Sequence, residues 1–204
     1  RAYAEAMARE GAAIFACDVN SCDETVAAIV AMGGRAESAV TDIASMSSCT
    51  AMAEQAVSAF GKIDVLVNNA GGAHGADTVA EGKDSDWEAM VQSNFLGLMR
   101  VSRACLPLLV DNPGSTIINI GSIAGRVAYE GGSVYCGVKA AEKQITQSLR
   151  LELNGTGVRV GTLDPGLAET EFAMVRFKGD QAKSDKVYEG LDPLVAEDIA
   201  EAMV

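Results

Sequence analysis

Residues 63–71 read IDVLVNNAG. Ile63 to Val67 is a short apolar run with one acid and no alternation of apolar and polar positions. A half-buried strand alternates, so a run of this kind reads as a strand covered on both faces. Asn68-Asn69-Ala70-Gly71 then breaks it with turn-forming residues. A strand covered on both faces belongs to a sheet sandwiched between helices, and that requirement can be checked along the rest of the chain.

Working outward, the same pattern recurs. AAIFAC (Ala12–Cys17) ends at Asp18, AESAVT leads to Asp42, STIINI spans Ser115–Ile120, and GVRVGTL spans Gly157–Leu163 before Pro165-Gly166. Between these runs lie helical stretches. One extends to about Met32 and closes on Gly33-Gly34. Ser47 is read as the cap of a helix ending at Phe60 and Gly61. A long helix is expected over about Asp84–Val110, stopped by Asn112-Pro113-Gly114, and another over Ser133–Leu153, ended by Asn154-Gly155. Alternating strands and helices predict an α/β chain: one single domain over 1–204, a Rossmann-like doubly wound parallel sheet with helices on both faces. Ligands of such sheets bind beyond the carboxyl ends of the strands. That directs attention to Asp18, Asp42, Asn68 to Gly71, Gly121-Ser122 and Pro165-Gly166.

Bulk composition narrows the function. The 204 residues suffice for one domain with a sizeable core. The net charge of −12 argues against nucleic acid and anionic membranes as partners, because their phosphates repel the chain. No apolar run approaches the roughly 18 residues of a membrane span. Five scattered cysteines and one histidine supply no metal site, and the thiols read as reduced and cytoplasmic. Both ends look cut. RAYAEAMAREGA opens as helix, Val204 falls within an apparent helix, and no GxGxxG precedes the first strand. The natural polypeptide is therefore expected to extend beyond both ends, with a first and a last strand absent from these residues. Without that first strand, two sheet edges should stand unpaired.

SVYCGVK (Ser133–Lys139) sits on the last long helix. Val134, Val138, Ala141, Ile145 and Leu149 mark its buried stripe, and Tyr135 and Lys139 stack beside it one turn apart. A phenol has an ordinary pKa near 10, and a neighbouring ammonium favours the phenolate. Ser122 stands thirteen residues earlier, at a strand end. Asn94 lies inside the apolar stripe Trp87, Val91, Leu98, Val101, Cys105. A core-facing amide costs about 2–7 kcal/mol unless it is hydrogen-bonded.

Asn-Asn-Ala-Gly at 68–71, a helical Asn94, Ser122, Tyr135-x-x-x-Lys139 and Asp164-Pro165-Gly166 to Thr170, in that order, resemble the short-chain dehydrogenases/reductases. INIGSIAG, GTGVRV, PGLAETEF and VRFKGD extend the likeness to the NADP-dependent 3-hydroxy acid (serine-type) dehydrogenases. The resemblance implies an oxidoreductase moving a hydride between NAD(P)(H) and a small alcohol or carbonyl compound. It implies Tyr135 as general acid and base, Lys139 as the group that lowers its pKa and holds the nicotinamide ribose, and Ser122 as donor to the substrate oxygen. Asn94 would hold a water linking Lys139 to solvent. Asn68, Ala70 and Gly71 would line the cofactor, Asp42 would meet the adenine edge, and Pro165, Gly166 and Thr170 would carry the nicotinamide end. A homo-oligomer, tetramer or dimer, is also implied. The competing reading is a catalytically silent dinucleotide sensor or scaffold on the same fold, although such a protein would be expected to lack the tyrosine or lysine.

Two finer expectations concern ligands. Asp18 ends its strand where a carboxylate can accept from the ribose hydroxyls, and no basic residue adjoins it, so NAD is expected rather than NADP. The segment after Gly166 gathers Arg176, Lys178, Lys183 and Lys186 among acids. Arg176, with Lys178, is the candidate to receive a substrate carboxylate. The competing reading of that segment is an apolar lid of Phe172, Met174 and Phe177 over a neutral substrate. His74 reads as a solvated loop residue and Cys136 as packing.

Overall fold

Strand and helix alternate from the first residues of the chain, which a computed structural model describes throughout, residues 1–204. Helix α1 (Ala2–Arg9) leads to β1 (Ile14–Asp18), and α2 (Asp23–Ala31) to β2 (Ala36–Val40). Helix α3 (Met46–Phe60) precedes β3 (Val65–Asn68), and α4 (Asp84–Met90) runs through a π-helical turn (Val91–Gly97) into α5 (Leu98–Val110). Then come β4 (Thr116–Ile120), a 3₁₀ turn (Ile123–Gly125), α6 (Ser133–Glu152) and β5 (Arg159–Leu163). The C-terminal part holds β6 (Ala168–Glu169), α7 (Phe172–Arg176), α8 (Gln181–Lys186), β7 (Leu194–Val195) and α9 (Ala196–Glu201).

The strands are parallel, as the unalternating apolar runs require, but they form two main sheets instead of one. β1 pairs with β2, and β3-β4-β5 form a separate sheet; a short β6-β7 ladder stands apart. No ladder joins β1 to β3, so each keeps an unpaired edge. This also corrects the reading of Ile63–Val67 as fully buried. The strand is shifted to Val65–Asn68, and Val65 is 41% exposed, because an edge without a partner loses cover on that side. The core lies between α3, α5, β4, β5 and α6. Cys49, Met52, Cys105, Leu109, Ile117, Leu149 and Val160 are among its 11 buried members.

Two local expectations shift for identifiable reasons. Helix α3 is capped by Ser45, whose Oγ accepts from the Ser48 amide at 3.3 Å, and not by Ser47. The single helix expected over Asp84–Val110 is interrupted by the π-helical turn. There Asn94 Nδ2 donates to Met90 O at 2.9 Å and to Gly72 O at 2.8 Å. A side chain inserted into the helical ladder is a recognised cause of such a bulge, and bulges of this kind cluster at functional sites.

A buried polar chain sets the height of α6 over the sheet. Asn68 Nδ2 donates to Asn119 Oδ1 at 2.8 Å and to Ser102 Oγ at 3.2 Å. Asn119 Nδ2 donates to Thr146 Oγ1 at 2.8 Å, and Thr146 Oγ1 donates to Glu142 O at 2.8 Å. Asn119 is fully buried and sits opposite Asn68 in the β3–β4 register. Asn119→Ala strips Asn68 of its Asn119 acceptor and Thr146 of its donor in a dry interior and leaves a cavity, and each broken buried bond costs about 1–3 kcal/mol. The expected loss is about 2–4 kcal/mol, read as a lower denaturant midpoint at an unchanged m-value. A loss below 0.5 kcal/mol would mean that water or neighbours satisfy the chain and that α6 does not depend on it.

Candidate active site

Helix α6 brings the opening residues of its sequence to the carboxyl end of β4. Its buried stripe, including Val138 and Leu149, packs inward and carries Lys139 and Glu142 into the interior with it. Ser122 lies two residues beyond β4. Its extended backbone starts the 3₁₀ turn, and its Oγ accepts from the Ala124 amide at 3.1 Å. Tyr135 comes to this hydroxyl, near enough for Ser122 to favour its phenolate. The Tyr135 ring lies against Phe172 of α7, with centroids 5.6 Å apart, and Lys139 Nζ is 6.0 Å from its centroid.

Burial pushes the Tyr135 phenol up to about 12. The Ser122 hydrogen bond and the Arg176 charge pull it down less strongly, while Tyr129 and Glu142 push it further up. Lys139 itself is held by two partners. Lys139 Nζ donates to Ile120 O at 2.8 Å and stands 2.8 Å from Glu142 Oε2. That contact is an ion pair at close range rather than an aligned hydrogen bond, since Oε2 has no well-directed donor.

Asn94 is fully buried above the turn that follows β3, and its Oδ1 has no protein donor. Gly71, at φ +154°, lies against it, and a Cβ there would come within 2.5 Å of that oxygen. Gly121 is required by a close approach as well, since a Cβ would collide with Asp164 Oδ1, which also accepts from Thr162 Oγ1 at 2.6 Å. Asp164 pairs with Arg126 across the same strand ends.

The structure gathers Ser122, Tyr135 and Lys139 at one point. Asn94 comes near through Gly71 and Gly72, without touching Lys139. Asn69 and Ala70 are exposed at the end of β3, whereas Asn68 turns inward to Asn119 and Ser102 and acts as part of the scaffold. Asp18 ends β1 in the other sheet; its Oδ1 accepts from Asn20 N at 2.9 Å and Asn20 Nδ2 at 3.2 Å, leaving Oδ2 without a protein donor. Asp42, exposed beyond β2, accepts from the Ala44 amide at 2.8 Å. Pro165 O accepts from the Ile123 amide at 3.0 Å, and Thr170 Oγ1 accepts from the Phe172 amide at 3.2 Å at the start of α7.

The segment after Gly166 closes over Tyr135. Arg176 Nε donates to Gly75 O at 2.8 Å and its Nη1 to Tyr129 Oη at 3.0 Å, while Gly75 N donates back to Arg176 O at 2.9 Å. Lys178 is tied to Asp86 at 2.8 Å, which removes it from the pair of cations expected to meet a carboxylate. His74 is half-buried in a small cavity that Tyr135 also lines, not free in solvent as its loop composition suggested. Sequence reasoning missed Glu142, Tyr129 and Asn119. Glu142 had a usable signal: it is three residues after Lys139, on the same helical face.

Comparison with known proteins agrees with this geometry. The sequence pattern of the short chain dehydrogenase family matches residues 1–181. The NADP-dependent 3-hydroxy acid dehydrogenase of Schizosaccharomyces pombe is 45% identical over 163 residues, which are 80% of this chain and 63% of that protein. The sulfoacetaldehyde reductase of Chromohalobacter salexigens is 50% identical over 145 residues, 71% of this chain and 57% of that protein. This chain thus spans roughly three fifths of the curated relatives it matches. Among solved structures, the closed form of a serine dehydrogenase complexed with NADP⁺ superposes with a TM-score of 0.91 at 36% identity, covering 99% of this chain and 82% of that one.

Proposed function

The chain belongs to the short chain dehydrogenases, and from that premise we propose that it interconverts a small hydroxy acid and its carbonyl form with a nicotinamide dinucleotide. The observation that carries the reading is the meeting of Ser122, Tyr135 and Lys139 at the end of β4. The groove fits the dinucleotide: Asn94 Oδ1 is a buried acceptor without a donor, Gly71 leaves the backbone open, and Asp18 keeps a free carboxylate oxygen. Asp18, Asp42, Ala70, Gly71, Pro165, Gly166 and Thr170 would hold it, with Lys139 at the nicotinamide ribose. When bound, it supplies or accepts the hydride.

The protein's own residues handle the proton. With a phenol pushed up to about 12, Tyr135 is protonated throughout the neutral range and is ready as the acid for carbonyl reduction. In the reverse direction it must first lose that proton, so alcohol oxidation should speed up as the pH rises. Ser122 Oγ donates to the substrate oxygen and holds it where negative charge develops. Asn94, through its open Oδ1, would hold a water on the path from Lys139 to solvent.

Substrate class follows from what the relatives share by name. A 3-hydroxy acid, serine and sulfoacetaldehyde each carry an acid group, and in a 3-hydroxy acid and sulfoacetaldehyde it sits on the carbon next to the reacting one. Arg176 supplies the matching cation, close enough to Tyr135 for its charge to act on the phenol. A soluble cytoplasmic enzyme fits a chain in which no helix is long and apolar enough to cross a membrane. An apolar groove between α5 and α6, lined by Met99, Leu106, Val110 and Leu153, supports assembly into a dimer or tetramer.

Absorbance of the reduced nicotinamide tests the reading, using the full-length protein with short hydroxy acids, semialdehydes and neutral alcohols. Turnover of the anionic compounds is expected. No turnover with any of them would overturn the proposal. The same assay decides the cofactor. Asp18 favours the ribose diol and repels a 2′-phosphate, so kcat/KM should be higher with NAD(H), in contrast to the NADP-dependent relative. A preference for NADP(H) would refute that choice.

A further inference from the structure

Lys178 stands where a helix end favours glycine. Helix α7 stops at Arg176 and Phe177 in a Schellman closure: Gly179 N donates to Met174 O at 2.9 Å and Lys178 N to Val175 O at 3.1 Å. The residue just past the cap of such a closure is left-handed, and glycine usually fills it because a Cβ is disfavoured there. Here that residue is Lys178, at φ +56°, the only residue other than glycine in the chain with a positive φ. Its side chain supplies a reason. Nζ donates to both carboxylate oxygens of Asp86, at 2.8 and 2.9 Å. Asp86 lies in the first turn of α4 with its side chain 13% exposed, and it lines the same small cavity as Gly75 and Tyr135. Arg176 sits two residues before this tie. On α7 it shares a face with Phe172, four residues earlier, and Phe172 lies against the Tyr135 ring. The segment is thus fastened on Tyr135 upstream of Arg176 and on α4 downstream of it.

We propose that Lys178 is a positioning residue: by tying the end of α7 to Asp86, it holds the Arg176 guanidinium at the substrate position beside Tyr135. The inference rests on the reading of Arg176 as the cation that meets the substrate's acid group. A guanidinium recognises such a group through a fixed planar fork, so its contribution depends on how firmly its helix is seated. The bonds between Arg176 and Gly75 run both ways and seat one side of α7 on the loop after β3. The Lys178 tie seats the other end on α4, an element that those bonds do not reach. Glycine at 178 would close the helix with less strain, but it has no side chain to span that gap. The disfavoured backbone of Lys178 is therefore the conformation that directs its ammonium to α4.

The test is Lys178→Gly, which suits the left-handed turn and removes the tie. Asp86→Asn removes the tie from its other end, and Lys178→Arg keeps the cation. Hydrogen exchange of the full-length protein, followed by mass spectrometry, reads the seating of α7 without any turnover. Peptides covering Phe172–Lys178 and Gly75 should exchange about two- to fivefold faster in Lys178→Gly and in Asp86→Asn, the weight of an ion pair with one exposed partner. Lys178→Arg should exchange like the wild type. In turnover, KM for a short hydroxy acid should rise by the same factor in both weakened variants, with kcat and the values for a neutral alcohol unchanged. Wild-type exchange in Lys178→Gly would overturn the inference, because the lysine would then only end a helix. Faster exchange with equal losses on acid and alcohol would overturn it as well, since the tie would then order the segment without serving Arg176. A protein with no turnover at all would sink the proposed activity and leave the exchange comparison standing, so the two failures are told apart.

Discussion

Replacing Tyr135 by Phe should lower kcat by at least a hundredfold and by as much as ten-thousandfold. The change removes one oxygen and keeps the ring that packs on Phe172, so the fold has no reason to respond. General acid–base groups contribute about 10²–10⁴ in rate, because a developing alkoxide without a donor in place must wait for water. Ser122 remains and still holds the substrate oxygen, so the residual rate should exceed the background reaction. Cofactor affinity should barely change, since Lys139 stays anchored to Ile120 O and Glu142. Steady-state kinetics with cofactor titration by fluorescence checks both halves. A Phe variant retaining a tenth of wild-type turnover would assign the proton to another group.

Arg176→Met should separate anionic from neutral substrates. Loss of a charge-assisted hydrogen bond costs about 1.5–3 kcal/mol, so kcat/KM for a short hydroxy acid should fall roughly ten- to a hundredfold, while a neutral alcohol of similar size keeps its value. The structure sharpens this comparison, because Arg176 already has work within the protein. Two of its five donors bind Gly75 O and Tyr129 Oη, and its guanidinium packs over the Tyr129 and Phe177 rings at 5.3 and 5.6 Å. These bonds fix a planar fork close to Tyr135 and leave donors over for a carboxylate or sulfonate. They also join α7 to the loop after β3, so the substitution tests two roles together. Equal losses on both substrates would mean that Arg176 only orders the closing segment.

Much of the molecule is legible in its sequence. Apolar runs without alternation required parallel strands covered by helices, and turn residues placed their ends, because burial on two faces leaves no polar position in the pattern. The ordered residues Asn68 to Gly71, Asn94, Ser122, Tyr135 and Lys139 carried the resemblance to the family, and the structure brings Ser122, Tyr135 and Lys139 together at the end of β4. What tertiary structure alone decided is how each group's charge and hydrogen bonds are spent. Spacing shows that Lys139 is one turn from Tyr135, but not that it pairs with Glu142 in a dry interior or that burial pushes the phenol up. Composition suggests two cations after Gly166, but only the packing of α7 commits Lys178 to Asp86 and draws Arg176 toward Tyr129. Asn68 read as a cofactor ligand from its motif, whereas its register opposite Asn119 turns it into the core. Local pattern specifies which residues share a face. Burial and pairing depend on elements far apart in the chain, and those set protonation, cost and role.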